Sequence, residues 1–230
     1  MLTHTRSEIA LASGLAWTAG YVDAVGFLHL GGYFVSFMTG NSTRAGASVA
    51  HLSLSGFVQA FELIAAFFLG VVAASALRRI MDRHRRPAIC IVSAAVLGAA
   101  WASTAVPGAE WVLAPALAGS MGLLNAVFER AGEVSIGITY MTGTLVKLGQ
   151  KVTAALFGER RNGWHRYLLL WGSLTLGSLC GGAGYLLLGL AALGPAIVAL
   201  ASAAAASWGP SGAPPRLAMA DGSGSTVNTV

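Results

Sequence analysis

Six stretches of this chain stay apolar for about 20 residues, the length that crosses a hydrocarbon core of about 30 Å. They are residues 9–28, 57–77, 88–106, 111–128, 167–188 and 190–207. No other feature narrows the fold as much. Inside lipid a segment must satisfy its own backbone hydrogen bonds, so each stretch is expected to be a helix. Composition agrees: of 230 residues, 55% are hydrophobic and only 10% are charged. A soluble domain carries about 25% charged residues. So few charges cannot cover a water-soluble globule, which excludes a soluble enzyme, a disordered chain and a disulfide-stapled secreted domain. Cys90 and Cys180 both lie in apolar runs, with no CxxC pair to suggest zinc. The apolar run after Arg6 lacks a small-x-small cleavage site and continues past Asp23, so it reads as a retained helix.

The basic residues give these spans a direction. With six spans and the N-terminus inside, Arg6, Arg78, Arg79, Arg83, Arg85, Arg86, Arg130, Lys147, Lys151, Arg160, Arg161, Arg166 and Arg216 all fall on the inner side. Only Arg44 falls outside. Positive charge retained on the cytoplasmic side is the usual determinant of orientation, so the basic excess reports topology and not nucleic-acid binding. Two further segments, 33–51 and 134–156, are moderately apolar. Counting them as spans would put one of the two arginine clusters outside, so they are expected to be partial, re-entrant or interfacial helices. Residues 209–230, rich in Gly, Pro, Ser and Thr, are expected to form a disordered cytoplasmic tail.

The chain also repeats itself. Gly20-Tyr21-Val22-Asp23-Ala24-Val25 aligns with Gly122-Leu123-Leu124-Asn125-Ala126-Val127 at an offset of 102. Phe37-Met38-Thr39-Gly40 aligns with Tyr140-Met141-Thr142-Gly143 at an offset of 103, which also pairs Arg44 with Lys147. Each half holds three spans, an odd number, so the halves point in opposite directions. The expected fold is an all-α polytopic bundle. Residues 1–106 and 107–208 form two inverted three-helix repeats, a recurrent transporter plan.

The run Asp23-Ala24-Val25-Gly26-Phe27-Leu28-His29-Leu30-Gly31-Gly32-Tyr33-Phe34-Val35-Ser36-Phe37-Met38-Thr39-Gly40-Asn41 resembles the signature of the YoaK-like family of small bacterial inner-membrane proteins. The resemblance extends in layout over most of residues 9–207 and is looser in the second half. It implies a multi-pass inner-membrane protein, and it implies no substrate.

The polar residues inside the apolar segments are the candidate site. Asp23 and Asn125 are expected near the membrane midplane on opposite sides of it, where a polar group is costly. Each could serve a solute or cap a break in the backbone. Met38, Thr39, Gly40 and Asn41, with Met141, Thr142 and Gly143, read as turns that open a short helix, with Asn41, Ser42, Thr43 and Thr144 as N-caps. Arg44 and Lys147, one turn on, could hold an anion at those helix starts or reach to lipid headgroups. Glu62, beside Gln59, could line a vestibule or lie in the headgroup layer. His29 reads as an interfacial hydrogen-bonder. The small-residue ladders Ala66-Gly70-Ala74 and Ser173-Gly177-Gly181 allow close helix packing, within the chain or between copies.

No GxGxxG, Walker loop, HExxH or GxSxG is present, so neither an enzyme nor a cofactor or metal is expected. The expected function is a small-solute transporter or channel, an anion being one candidate class, embedded in lipid and working as a homodimer. The alternative is a membrane protein without transport, which packs and binds lipid or a partner.

Overall fold

A computed structural model describes residues 5–81, 84–130, 133–134, 136–158 and 163–208. Arg83, Arg160, Arg161, Arg216 and the expected tail at 209–230 lie outside the described residues. The elements are α1 (Arg6–His29), α2 (Met38–Ala50), α3 (Leu54–Ile80), α4 (Arg85–Ser103), α5 (Leu113–Asn125), α6 (Met141–Leu156), α7 (Trp164–Leu188) and α8 (Leu193–Ala206). Short 3-10 turns at Glu110–Val112 and Gly189–Ala192 lead into α5 and α8. A two-residue antiparallel pairing sets Glu129 against Val134 and Arg130 against Glu133. Otherwise the fold is helical.

All six long apolar segments are helical, and the two shorter ones become α2 and α6. Among the described residues three runs are long and apolar enough to cross a membrane by length and composition alone: Leu54–Ile80, Arg85–Ser103 and Trp164–Ala206. The last is interrupted at Gly189, whose φ of +56° ends α7. α1 carries Ser13, Thr18, Tyr21 and Asp23 among its apolar residues. It is also well enclosed, with Ala12, Leu15, Ala16, Ala19, Val22 and Val25 fully buried. α3 and α7 instead expose large apolar side chains, including Phe68, Leu69, Leu179, Leu186 and Leu187. Such broad exposed apolar faces belong against lipid or protein.

Two parallel helix contacts organise the core: α1 packs along α7, and α3 along α5. Each depends on backbone approaching backbone. A Cβ added at Gly177 would collide with the carbonyl of Trp17, at Gly181 with that of Tyr21, and at Gly20 with that of Leu174. On the other side, a Cβ at Gly70 would strike the carbonyl of Gly119, and one at Gly122 that of Phe67. Both small-residue ladders are therefore used inside the chain. α4 packs against α8 and α5, and α8 also touches α1.

One end of the bundle is tied by a charge pair. Thr5 and Glu8 form a capping box at the start of α1, with mutual contacts of 3.2 Å. The other oxygen of Glu8 meets the Arg86 guanidinium on α4 at 2.6 Å, with both side chains mostly buried. Arg86 also lies over the Phe128 ring at 5.3 Å, and His84 sits 5.8 Å from the Trp208 ring. The starts of α1 and α4 thus meet the ends of α5 and α8. At the opposite end, His29 Nδ1 and the Tyr185 hydroxyl are 3.1 Å apart, which joins α1 to α7.

Gly177→Leu is expected to separate α1 from α7 and to cost about 3 kcal/mol or more, the upper range for overpacking. Loss of the monodisperse detergent peak and a lowered unfolding temperature would check this. Glu8→Ala removes the carboxylate half of the capping box and the ion-pair partner of Arg86. Its expected cost is on the order of 2–3 kcal/mol, between exposed and buried ion pairs with a cap added. Arg86→Gln in the same background should add little, because the pair is already broken.

Candidate functional site

The site begins where α1 ends. Gly31 and Gly32 adopt φ of +67° and +91°, backbone that L side chains rarely take. The Gly32 N–H donates to the Phe27 carbonyl at 2.8 Å, which closes a Schellman motif. The chain then reverses and runs back along α1. Val35 lies directly on Gly26, where a Cβ would collide with it. One turn deeper, Asp23 Oδ1 accepts the N–H groups of both Val35 and Ser36, each at 2.8 Å.

Asn41 braces the same segment from the other side. It is completely buried. Its Oδ1 accepts the Phe34 N–H at 2.9 Å, and its Nδ2 donates to the Phe34 carbonyl at 2.7 Å and to the Met38 sulfur at 3.7 Å. The Phe34 ring sits between Phe27, at 4.9 Å, and Phe37, at 5.2 Å. Gly40 leaves the space that the Phe34 and Phe37 rings occupy.

The second half follows the same scheme with other atoms. Asn125 Oδ1 accepts the Thr139 hydroxyl at 3.0 Å and the Thr139 N–H at 3.4 Å. Its Nδ2 donates to the Met121 carbonyl at 2.9 Å. Asp23 lies inside α1, whereas Asn125 is the last residue of α5. Tyr140 folds over Gly137, and the Thr144 hydroxyl returns to the Tyr140 carbonyl at 3.1 Å.

The Met-Thr-Gly blocks are not the turns that the sequence suggested. Met38, Thr39 and Gly40 are the first turn of α2, and Met141, Thr142 and Gly143 the first turn of α6. The N-cap positions are Phe37 and Tyr140, without a side-chain cap. The expected caps act otherwise: Ser42 and Thr43 donate to the carbonyls four residues back, at 3.0 and 3.2 Å, and Asn41 reaches to Phe34. The breaks lie upstream, at residues 31–37 and 136–140.

The expected site residues therefore fall into separate groups. Asp23 and Asn41 converge on residues 34–36, with Met38 beside Asn41. Asn125 holds Thr139, next to Met141. Among the described residues no hydrogen bond joins these two groups. Thr39, Thr142 and Gly143 are exposed. Arg44 lies over the Tyr33 ring at 4.9 Å. Lys147 is exposed on α6, and Glu62 is exposed on α3. Among the described residues no group of three or more His, Cys, Asp or Glu could hold a metal ion. The sequence reading missed the Val35 and Ser36 amides, Thr139 and Phe34. The Gly31-Gly32 pair just past α1 was the available signal for the reversal.

A protein of Rhizobium meliloti named UPF0700 transmembrane protein RA0705 is 30% identical over 173 residues, covering 75% of this chain and 74% of its own length. The UPF0700 transmembrane protein YoaK of Bacillus subtilis is 26% identical over 160 residues, 66% of this chain and 70% of its own. No solved structure matches the chain. The profile of a family described as protein of unknown function DUF1275 matches residues 11–206. With that match and these relatives, the chain belongs to the DUF1275 family, whose UPF0700 relatives are transmembrane proteins.

Proposed function

We propose that this chain is a small-solute transporter or channel of the bacterial inner membrane, with six spans in two inverted halves and both termini cytoplasmic. The observation that carries the proposal is the matched pair of latches. In each half a polar side chain from the first helix holds a non-helical segment that precedes a short helix. α2 and α6 have 13 and 16 residues, about 20 and 24 Å long, too short to span. Non-helical backbone at membrane depth is tolerated where protein or a wet cavity surrounds it, and in transporters such segments form the solute site.

Three observations support the inverted plan. Exchanging α1–α4 with α5–α8 maps the α1–α7 contact onto α5–α3, α2–α3 onto α6–α7, and α4–α5 onto α8–α1. The close glycine contacts exchange as well: Gly20 on Leu174 becomes Gly122 on Phe67, and Gly177 on Trp17 becomes Gly70 on Gly119. In addition, the contacts at the two ends make α1, α3, α4, α5, α7 and α8 run alternately between them. Arg78, Arg79, Arg85 and Arg86 gather at the end that holds Glu8, the side that positive charge marks as cytoplasmic.

In this reading Asp23, Asn41 and Asn125 hold the gates, and the first turns at Met38–Gly40 and Met141–Gly143 face the solute. Arg44 and Lys147 supply positive charge on opposite sides, which suits an anion. Glu62 stands apart from both latches. A second copy completes the assembly through exposed apolar faces, since the glycine ladders are already occupied. A non-transport reading has its own support: Asp23 accepts two backbone amides, and that alone accounts for a buried carboxylate. In that case the latches are permanent braces.

Reconstituted vesicles separate the two. Uptake of a panel of labelled small organic anions and neutral solutes should depend on the protein. Asp23→Ala should reduce flux by about tenfold or more, the effect of losing hydrogen bonds to a charged acceptor, while size-exclusion behaviour is kept. Asp23→Asn, which retains an acceptor oxygen, should recover much of it. Flux unaffected by Asp23→Ala would refute the gate, and absence of protein-dependent flux for every solute would favour the brace. Single cysteines at residues 6 and 44, in a chain with Cys90 and Cys180 replaced, should label from opposite sides of the membrane.

A further inference from the structure

Arg44 is the one basic residue that the proposed orientation leaves on the outer side, against the usual distribution. Its surroundings give it something to do. An open groove of about 490 Å³ lies between the end of α2 and the start of α3, lined by Thr43, Arg44, Ala47, Ser48, His51 and Ser53. Five of these six residues carry polar side chains, of which the Thr43 hydroxyl already donates to the Thr39 carbonyl.

The arginine is held in place without being neutralised. Its guanidinium lies over the Tyr33 ring at 4.9 Å and packs against Gly32, where a Cβ would displace it. The Tyr33 hydroxyl is itself fixed by donating to the Gly56 carbonyl at 3.2 Å. Among the described residues no carboxylate comes within ion-pair distance of Arg44. Ser48 is only 9% exposed, and its hydroxyl has no hydrogen-bond partner among the described residues. The hydroxyl opens to the groove, so it is free to bond a ligand there. Ser53 accepts the Gly56 N–H at 3.3 Å, and its hydroxyl lies 3.4 Å from that of Ser55. As the N-cap of α3, it also brings the positive end of that helix dipole to the groove.

The second half has no counterpart. At the offset of 103 that pairs Arg44 with Lys147, Thr43 becomes Val146, Ala47 becomes Gln150, Ser48 becomes Lys151, His51 becomes Ala154 and Ser53 becomes Leu156. The hydroxyls and the imidazole are therefore not a by-product of the duplication. They have been assembled around one arginine, on one side only.

We infer that this groove is an outward-facing oxyanion site that takes a phosphate group. Arg44 provides paired N–H donors, which match phosphate geometry. Ser48, His51 and Ser53 line the same groove and add hydroxyl and imidazole donors to it. The phosphate belongs either to a soluble ion or ester or to an anionic lipid headgroup. The inference rests on the outward orientation of the transporter reading and not on flux, so either can fail alone.

The test uses the purified full chain. Inorganic phosphate is titrated in neutral detergent against chloride at equal ionic strength, and thermal unfolding is read. The chain is also placed in nanodiscs of phosphatidylcholine with and without phosphatidylglycerol. Saturable stabilisation by phosphate, weakened about tenfold or more by Arg44→Gln and less by Arg44→Lys, would support a soluble phosphate ligand. The same dependence on Arg44 seen only with phosphatidylglycerol would support a headgroup. Ser48→Ala, a small change that the fold tolerates, should weaken whichever response is found. The site is overturned if neither probe gives a response that depends on Arg44 and Ser48, or if Lys147→Gln abolishes the response equally.

Discussion

A peptide group that leaves a helix and is packed against protein has no water to bond, and an unsatisfied buried N–H or C=O costs about 1–3 kcal/mol. This constraint governs the arrangement around Asp23. After Gly31 and Gly32 the chain turns back beside α1 instead of leaving the bundle, so the Val35 and Ser36 amides need an acceptor. A single carboxylate oxygen serves both. Asn41 then satisfies both backbone groups of Phe34 at once. Three consecutive residues are thereby fixed by two side chains, and α2 begins from a defined point. Asn125 holds Thr139 with a neutral amide, so the hydrogen bonds themselves need no charge.

The second organising contact is between backbones. Lipid tails are as apolar as leucine, so burying apolar area gains little there, and helices associate through close packing. Gly20, Gly177 and Gly181 bring α1 and α7 together, and Gly70 and Gly122 do the same for α3 and α5. The partners in each contact come from different halves. The helices of the two halves therefore share one core, and the charge pair of Glu8 with Arg86 ties α1 to α4 at one end of it.

Much of this was legible in the sequence, for identifiable reasons. Long apolar runs announce helices because lipid permits little else, and all six appear. The repeat was legible because Gly20 and Gly122, and Asp23 and Asn125, keep their spacing where contacts demand it. The small-residue ladders were legible as contact surfaces, although their partners were not: Gly177 meets Trp17, a pairing that no local pattern announces. The starts of α2 and α6 were misplaced because Gly40 and Gly143 look like breakers. Gly40 is in fact a space for two phenylalanine rings, a tertiary demand that overrides local propensity. The bonds from Asp23 to Val35 and Ser36 were invisible for a related reason, since backbone amides carry no sequence signature.

The crossed pairing of the halves also bears on how such a chain is made. α1 leaves the ribosome first, and its principal neighbour, α7, follows about 150 residues later. At synthesis rates of 5–20 residues per second that interval lasts about 8 to 30 s. Throughout it, the face of α1 around Trp17, Gly20 and Tyr21 lacks the helix that covers it. Delayed partnership of this kind asks for a chaperoning surface during biogenesis. It also makes the nascent first half, more than the finished protein, the form most vulnerable to quality-control proteolysis.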